Sequence, residues 1–86
     1  MKAVVTVTGK DSMGIIAKVS ALCTEYDANI VDISQTVMQE YFAMIMLVEL
    51  DGLNVDFKSF ADGMALAGKE SGVDIRVMHE DIFNVM

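Results

Sequence analysis

This sequence has few side chains that could react chemically. The residue types present do not make up a known catalytic combination. The chain has a single cysteine, Cys23, and a single histidine, His79. Nucleophilic catalysis needs a serine or cysteine paired with a base, and we find no Ser-His-Asp set and no Cys-His pair. We therefore expect no catalytic residues and predict that the protein is not an enzyme.

The same residues argue against a metal or a cofactor. An iron–sulfur cluster needs about four cysteines, and soft-metal carriers use a Cys-x-x-Cys pair. His79, Glu80 and Asp81 are adjacent in a predicted strand, so their side chains alternate between faces and cannot converge on one ion. Cys23 falls on an apolar helical stripe, which is typical of an inert core residue. We expect neither a metal site nor a cofactor.

The loop from Gly9 to Ile15 has the residue types that best suit a ligand. A helix that begins near Gly14 directs unpaired N–H groups and the positive end of its dipole toward a bound carboxylate. Gly14 would let a ligand backbone approach closely, and Asp11 or Asn29 could bind the ammonium group of a zwitterion. This chemistry suits an amino acid.

The same residues also have purely structural interpretations. Asp11 or Ser12 could cap the first helix, and Gly9 and Gly14 could serve only the geometry of a turn. Asn29 could simply tolerate an unusual backbone before the second strand. Without a family assignment, capping is the stronger of the two interpretations for Asp11 and Ser12.

Composition narrows the possible partners. The chain has 86 residues and a formal charge of −7, which disfavours nucleic acid and anionic membranes. No apolar stretch reaches the ~20 residues of a spanning helix, and the N-terminus does not resemble a signal peptide. We predict a single domain over residues 1–86, a cytoplasmic location, and neither a nucleic-acid nor a membrane partner.

Hydrophobic periodicity predicts six elements in the order βαββαβ. Strands are predicted at 2–8, 30–38, 41–48 and 73–80, and helices from 15 and from 57. Asn54 is the expected N-cap of the second helix and Gly72 its stop. The order predicts an α+β, ferredoxin-like sandwich: a four-stranded antiparallel sheet of order 4-1-3-2 with two helices on one face.

The sheet face opposite the helices is predicted to be more apolar than a solvated face requires. Simple alternation puts five apolar side chains there: Val4, Ala43, Ile45, Leu47 and Met78. The segment 82–86 is apolar as well. Since 53% of the residues are hydrophobic, we expect a homo-oligomer, most simply a dimer.

Two segments of the chain resemble the signatures of ACT domains. The loop Gly9 to Ile15 is similar to the pattern G-x-D-x-x-G-I, and the segment Asn29 to Asp32 is similar to A-N-I-x-D. The resemblance extends over essentially the whole chain. Within the family it is to small single-domain bacterial proteins akin to the glycine-cleavage regulator and to the N-terminal domain of formyltetrahydrofolate deformylase.

The resemblance implies where an effector would bind. ACT dimers commonly hold effectors between the first loop of one subunit and the start of the second strand of its neighbour. The implied ligand-binding residues are Gly9, Asp11, Ser12, Met13, Gly14, Ile15, Asn29 and Ile30. The expected function is a regulatory domain that senses an amino acid or a related small metabolite. The alternative is an interaction module that regulates a partner enzyme without a ligand of its own.

Overall fold

The computed structural model describes residues 1–10 and 13–84, with side chains described as far as residue 82. Asp11 and Ser12 of the first loop, and the last two residues of the apolar segment 82–86, lie outside the described residues. The elements are β1 (Lys2–Gly9), α1 (Ile15–Glu25), β2 (Asn29–Met38), β3 (Tyr41–Glu49), α2 (Phe57–Ser71), β4 (Asp74–His79) and α3 (Asp81–Asn84). The first six confirm the predicted order, and the short α3 was not predicted.

All three strand pairs of the sheet are antiparallel. The strand order is β2-β3-β1-β4, which is the predicted order read from the other edge. On the central strand β1, Val5 lies opposite Met46 of β3 on one side and opposite Val77 of β4 on the other. The apolar strand β3 lies between β2 and β1, an interior position that the predicted order 4-1-3-2 also gives it.

The core lies between the sheet and the two long helices. Its largest fully buried side chains come from α2, β3 and β1: Phe60, Met64, Met44, Met46, Val5 and Val7. From α1 it receives Ile15, Val19 and Cys23, which are one turn apart and so lie on one face of that helix. Two methionines from β3 and one from α2 fill this core, in keeping with the flexibility of that side chain.

The start of α2 differs from the prediction. Asp56 occupies the N-cap and its side chain accepts a hydrogen bond from the Ser59 amide, so the expectation for Asn54 was wrong. Asn54 instead donates from Nδ2 to the Glu25 carbonyl and to Asp27 Oδ2, which ties the segment before α2 to the end of α1. Gly72 ends the helix in a left-handed conformation, as predicted.

The edge strand β2 contains an irregularity that alternation did not predict. The pairing with β3 shifts between Ile30 and Asp32, which leaves Val31 without a partner in the register. Val31 therefore does not simply continue the face that carries Ile33 and Val37. Such a bulge bends the strand and changes the direction of the side chains around it.

Candidate functional site

Gly14 begins the first helix in a conformation that favours glycine. Its φ is 76° and its ψ is −8°, in the left-handed region that is costly for residues with a side chain. Gly14 is the N-cap of α1, whereas the two predicted caps, Asp11 and Ser12, lie outside the described residues. A Cβ on Gly14 would meet no described atom within 4 Å.

Among the described residues, no side chain accepts a hydrogen bond from the free amides at the N-terminus of α1. The first turn of the helix contains no acidic residue. The first N–H groups of a helix have no acceptor within the helix, and they attract anions together with the helix dipole. This end of α1 is therefore suited to a carboxylate.

The other predicted residues of the first loop have different surroundings. A Cβ on Gly9 would lie 2.7 Å from Val73 Cγ1, so close packing is a sufficient reason for a glycine there. Ile15 is buried in the core, which leaves only its backbone to face a ligand, whereas the Met13 side chain is 88% exposed. A ligand contact of any of these residues stays a prediction.

The two halves of the predicted site lie at opposite ends of the sheet. Gly9 is opposite Phe42, and Phe42 is opposite Val37 near the end of β2. Asn29 begins the same strand eight residues earlier, a distance of about 26 Å in an extended strand. Asn29 and Ile30 therefore cannot contact a small ligand bound at Gly14 of the same chain.

Asn29 lines a shallow depression at its own end of the sheet. The depression has a volume of about 260 Å³ and is also lined by Thr24, Asp27 and Ala28. Asp27 has a φ of 60°, and its exposed carboxylate accepts a hydrogen bond from Asn54. A carboxylate beside an amide can bind an ammonium group. Asp27 was not among the predicted site residues, although its position two residues before Asn29 could have suggested it.

A larger cavity lies on the sheet face opposite the helices and was not predicted. Its volume is about 430 Å³, and it is lined by Thr8, Gly9, Lys10, Thr36, Met38, Tyr41, Phe42 and Ala43. The Lys10 Nζ lies 5.8 Å from the centre of the Tyr41 ring. No local signal pointed to this group, because its members come from three strands that only the fold brings together.

Cys23 and His79 are both held by contacts within the fold. Cys23 is fully buried, and burial raises the pKa of its thiol to about 11. His79 Nδ1 accepts a hydrogen bond from the Asp81 amide, and its ring packs edge-on against Phe57 with 5.5 Å between ring centres. Within residues 1–10 and 13–84, no group of three histidine, cysteine or acidic side chains could hold a metal ion.

No helix in the described part of the chain is both long enough and apolar enough to cross a bilayer.

Comparison with known proteins identifies the family. The ACT domain family matches residues 2–78 of this chain. A UPF0237 protein of Clostridium acetobutylicum is 51% identical over 86 residues, which are 100% of this chain and 97% of the relative. A UPF0237 protein of Methanocaldococcus jannaschii is 48% identical over 85 residues, covering 99% of this chain and 94% of the relative. The chain belongs to the ACT domain family.

Solved structures agree with this assignment. An ACT domain protein from Streptococcus pneumoniae has a TM-score of 0.87 and 42% identity, and the match covers 100% of this chain and 97% of that one. A formyltetrahydrofolate deformylase from Pseudomonas syringae has a TM-score of 0.79 and 24% identity, over 91% of this chain and 27% of that one. The second likeness concerns the fold alone. ACT domains are in general regulatory domains that bind ligands.

Proposed function

We propose that this protein is a regulatory ACT domain that senses an amino acid or a related zwitterionic metabolite at the interface of a homodimer. The observation that supports the proposal is the N-terminus of α1 at Gly14, where no described side chain caps the helix and no described atom would contact an added Cβ. Its free amides would hold the ligand carboxylate. Asn29 and Asp27 of a second copy would bind the ammonium group.

The separation of the two half-sites supports a dimer. Strands β1 and β2 run in the same direction, because each is antiparallel to β3. The start of β2 therefore lies at the end of the sheet away from the first loop. If β2 paired antiparallel with β2 of a second copy, Asn29 of that copy would lie at the sheet end that carries Gly14 of the first.

The exposure of β2 supports the same arrangement. It is an edge strand, and nine of its ten residues are exposed, all except Ile30. Four apolar side chains are among them: Val31 at 50%, Ile33 at 40%, Val37 at 66% and Met38 at 67%. A long exposed edge with apolar side chains is a favourable surface for pairing with another strand.

Titration calorimetry of the intact protein against the common amino acids tests this function. We expect saturable binding of at least one of them, with about tenfold weaker binding for Asn29→Ala, because a hydrogen bond to a charged group is lost. Ser34→Ala is the matched control, since Ser34 is exposed on the same strand outside the proposed site. Absence of binding to all amino acids would remove the sensor proposal and leave the fold intact.

A second candidate function is an interaction module without a ligand of its own. The sheet face opposite the helices, called here the open sheet face, has an apolar centre that favours this function. Ile45 is 54% exposed there, beside Val4 and Leu47. A partner enzyme would then be captured by the wild-type protein and not by Ile45→Lys. Capture that depends on an added amino acid would favour the first candidate.

We also propose a cytoplasmic location. The acidic composition and the single buried cysteine are compatible with it. Fractionation of cells that express the protein with its own coding sequence would test this, and recovery in the membrane or secreted fraction would contradict it.

A further inference from the structure

The cavity on the open sheet face has a defined position. Thr8, Thr36 and Ala43 form one row across β1, β2 and β3, because Ala43 lies opposite both threonines. Met38 and Tyr41 form the next row toward the hairpin and face each other across β2 and β3. These side chains project from the face opposite the helices, whereas α1 packs on the other face.

The walls of the cavity combine apolar surface with a few polar groups. Met38 is 67% exposed and Tyr41 is 50% exposed, so both present apolar area to a ligand. The hydroxyls of Thr8 and Thr36 have no hydrogen-bond partner among the described residues. Most small-molecule sites have this composition, with an apolar lining and a small number of polar groups that fix orientation.

Lys10 supplies a positive charge at the rim. Its ammonium group lies over the face of Tyr41 at 5.8 Å from the ring centre, near the outer limit of a cation–π contact. No described carboxylate lies within ion-pair distance of it, in contrast to Lys58 and Arg76, which pair with Asp62 and Asp74. In a chain of formal charge −7, this ammonium is the charged group that lines the cavity, and it favours an anion there.

We propose that this cavity binds a small monocarboxylate with an apolar body. The carboxylate accepts hydrogen bonds from the Lys10 ammonium and from the Thr8 and Thr36 hydroxyls, while the body packs against Met38 and Tyr41. A single lysine balances one negative charge, and the acidic chain disfavours a polyanion such as a phosphate ester. Gly9 borders both this cavity and the first loop, but Gly14, Asn29 and Asp27 of the proposed amino-acid site do not line the cavity.

The experiment uses benzoate as the probe and benzamide as its neutral counterpart of nearly equal shape. Each is titrated into the isotopically labelled full chain while backbone amide resonances are followed by NMR. Lys10→Met removes the charge and keeps most of the side-chain length. Lys69→Met is the matched control, because Lys69 is exposed on α2 and does not line the cavity.

We expect saturable benzoate shifts at the amides of Thr8, Thr36 and Ala43. Binding should be roughly tenfold weaker for benzamide and for Lys10→Met, and unchanged for Lys69→Met, because a charge-assisted hydrogen bond is lost only in the first two cases. The proposal is overturned if benzoate causes no saturable shift at these residues or binds Lys10→Met as tightly as wild type. Shifts confined to Ile15 and Asn29 would also overturn it, since they would report the amino-acid site instead.

Discussion

The Asp56 carboxylate accepts a hydrogen bond from the Ser59 amide at 3.1 Å, and this contact caps the N-terminus of α2. Hydrogen bonds from Ser59 hold the pKa of Asp56 below its ordinary value. We expect Asp56→Ala to lower the melting temperature, and Asp56→Asn to retain most of it because asparagine also caps helices. Thermal melts by circular dichroism measure both.

The same contact predicts a pH dependence. Because the folded-state pKa of Asp56 is lowered, its contribution to stability is present above the unfolded pKa and is lost as pH falls through the folded one. The stability difference between wild type and Asp56→Asn should therefore shrink on acidification. A difference that is constant from neutral to acidic pH would contradict this assignment of the cap.

The positive φ of Gly14 predicts which substitutions it tolerates. Gly14→Ala should destabilise the protein by about 1 to 2 kcal/mol, the cost of a left-handed conformation for an ordinary residue. Gly14→Asn should cost less, since asparagine adopts this region more readily. Urea unfolding compares the three proteins, and equal stability of all three would contradict the left-handed start of α1.

Two residues of α2 test which face of the helix is buried. Met64 is fully buried and Leu66 is 58% exposed, although they are only two positions apart. Met64→Ala should cost about 2 to 5 kcal/mol, as is typical of a large side chain removed from a core. Leu66→Ala should change the free energy of unfolding by no more than about 0.5 kcal/mol. Comparable effects of the two substitutions in urea unfolding would mean that a different face of α2 packs against the core.

Self-association can be assigned to one of two surfaces. Ile33 lies near the middle of the edge strand β2, and Ile45 lies on the open face of β3. If β2 forms the dimer, Ile33→Lys should shift the protein to monomer at micromolar concentration, because a lysine disfavours edge pairing. Ile45→Lys should leave the dimer intact. Light scattering after size exclusion measures both, and a dimer lost only in Ile45→Lys would assign the interface to the sheet face.

Burial of Cys23 predicts an unreactive thiol. With a pKa raised to about 11, the thiol is almost entirely protonated near neutral pH, and the thiolate is the reactive form. Reaction with a disulfide reagent at about pH 8 should be at least roughly 100-fold slower in the folded protein than in urea. The Cys23→Ser variant provides the blank, and equal folded and unfolded rates would show that the thiol is accessible.

The periodic patterns in this sequence were sufficient to predict the fold. The β-branched run of β1, the continuous apolar run of β3 and the helical stripe of α2 follow from burial, and the hydrophobicity of each residue indicates burial directly. The bulge at Val31 was not predictable, because it depends on how β2 aligns with Leu47 and Val48 of β3 rather than on any local preference. The choice of Asp56 over Asn54 as the cap was likewise not predictable, because it depends on the residue at which α2 begins, and both residue types are good caps.

For the candidate site, the sequence by itself determined the residue types of the first loop and of the segment at Asn29. Only the tertiary structure decided that these segments lie about 26 Å apart along β2 and cannot meet within one chain. The same applies to the cavity beside Lys10, whose walls come from three strands. Such distances are set by the pairing of strands. When the paired strands are far apart in sequence, no local pattern reveals which strands pair.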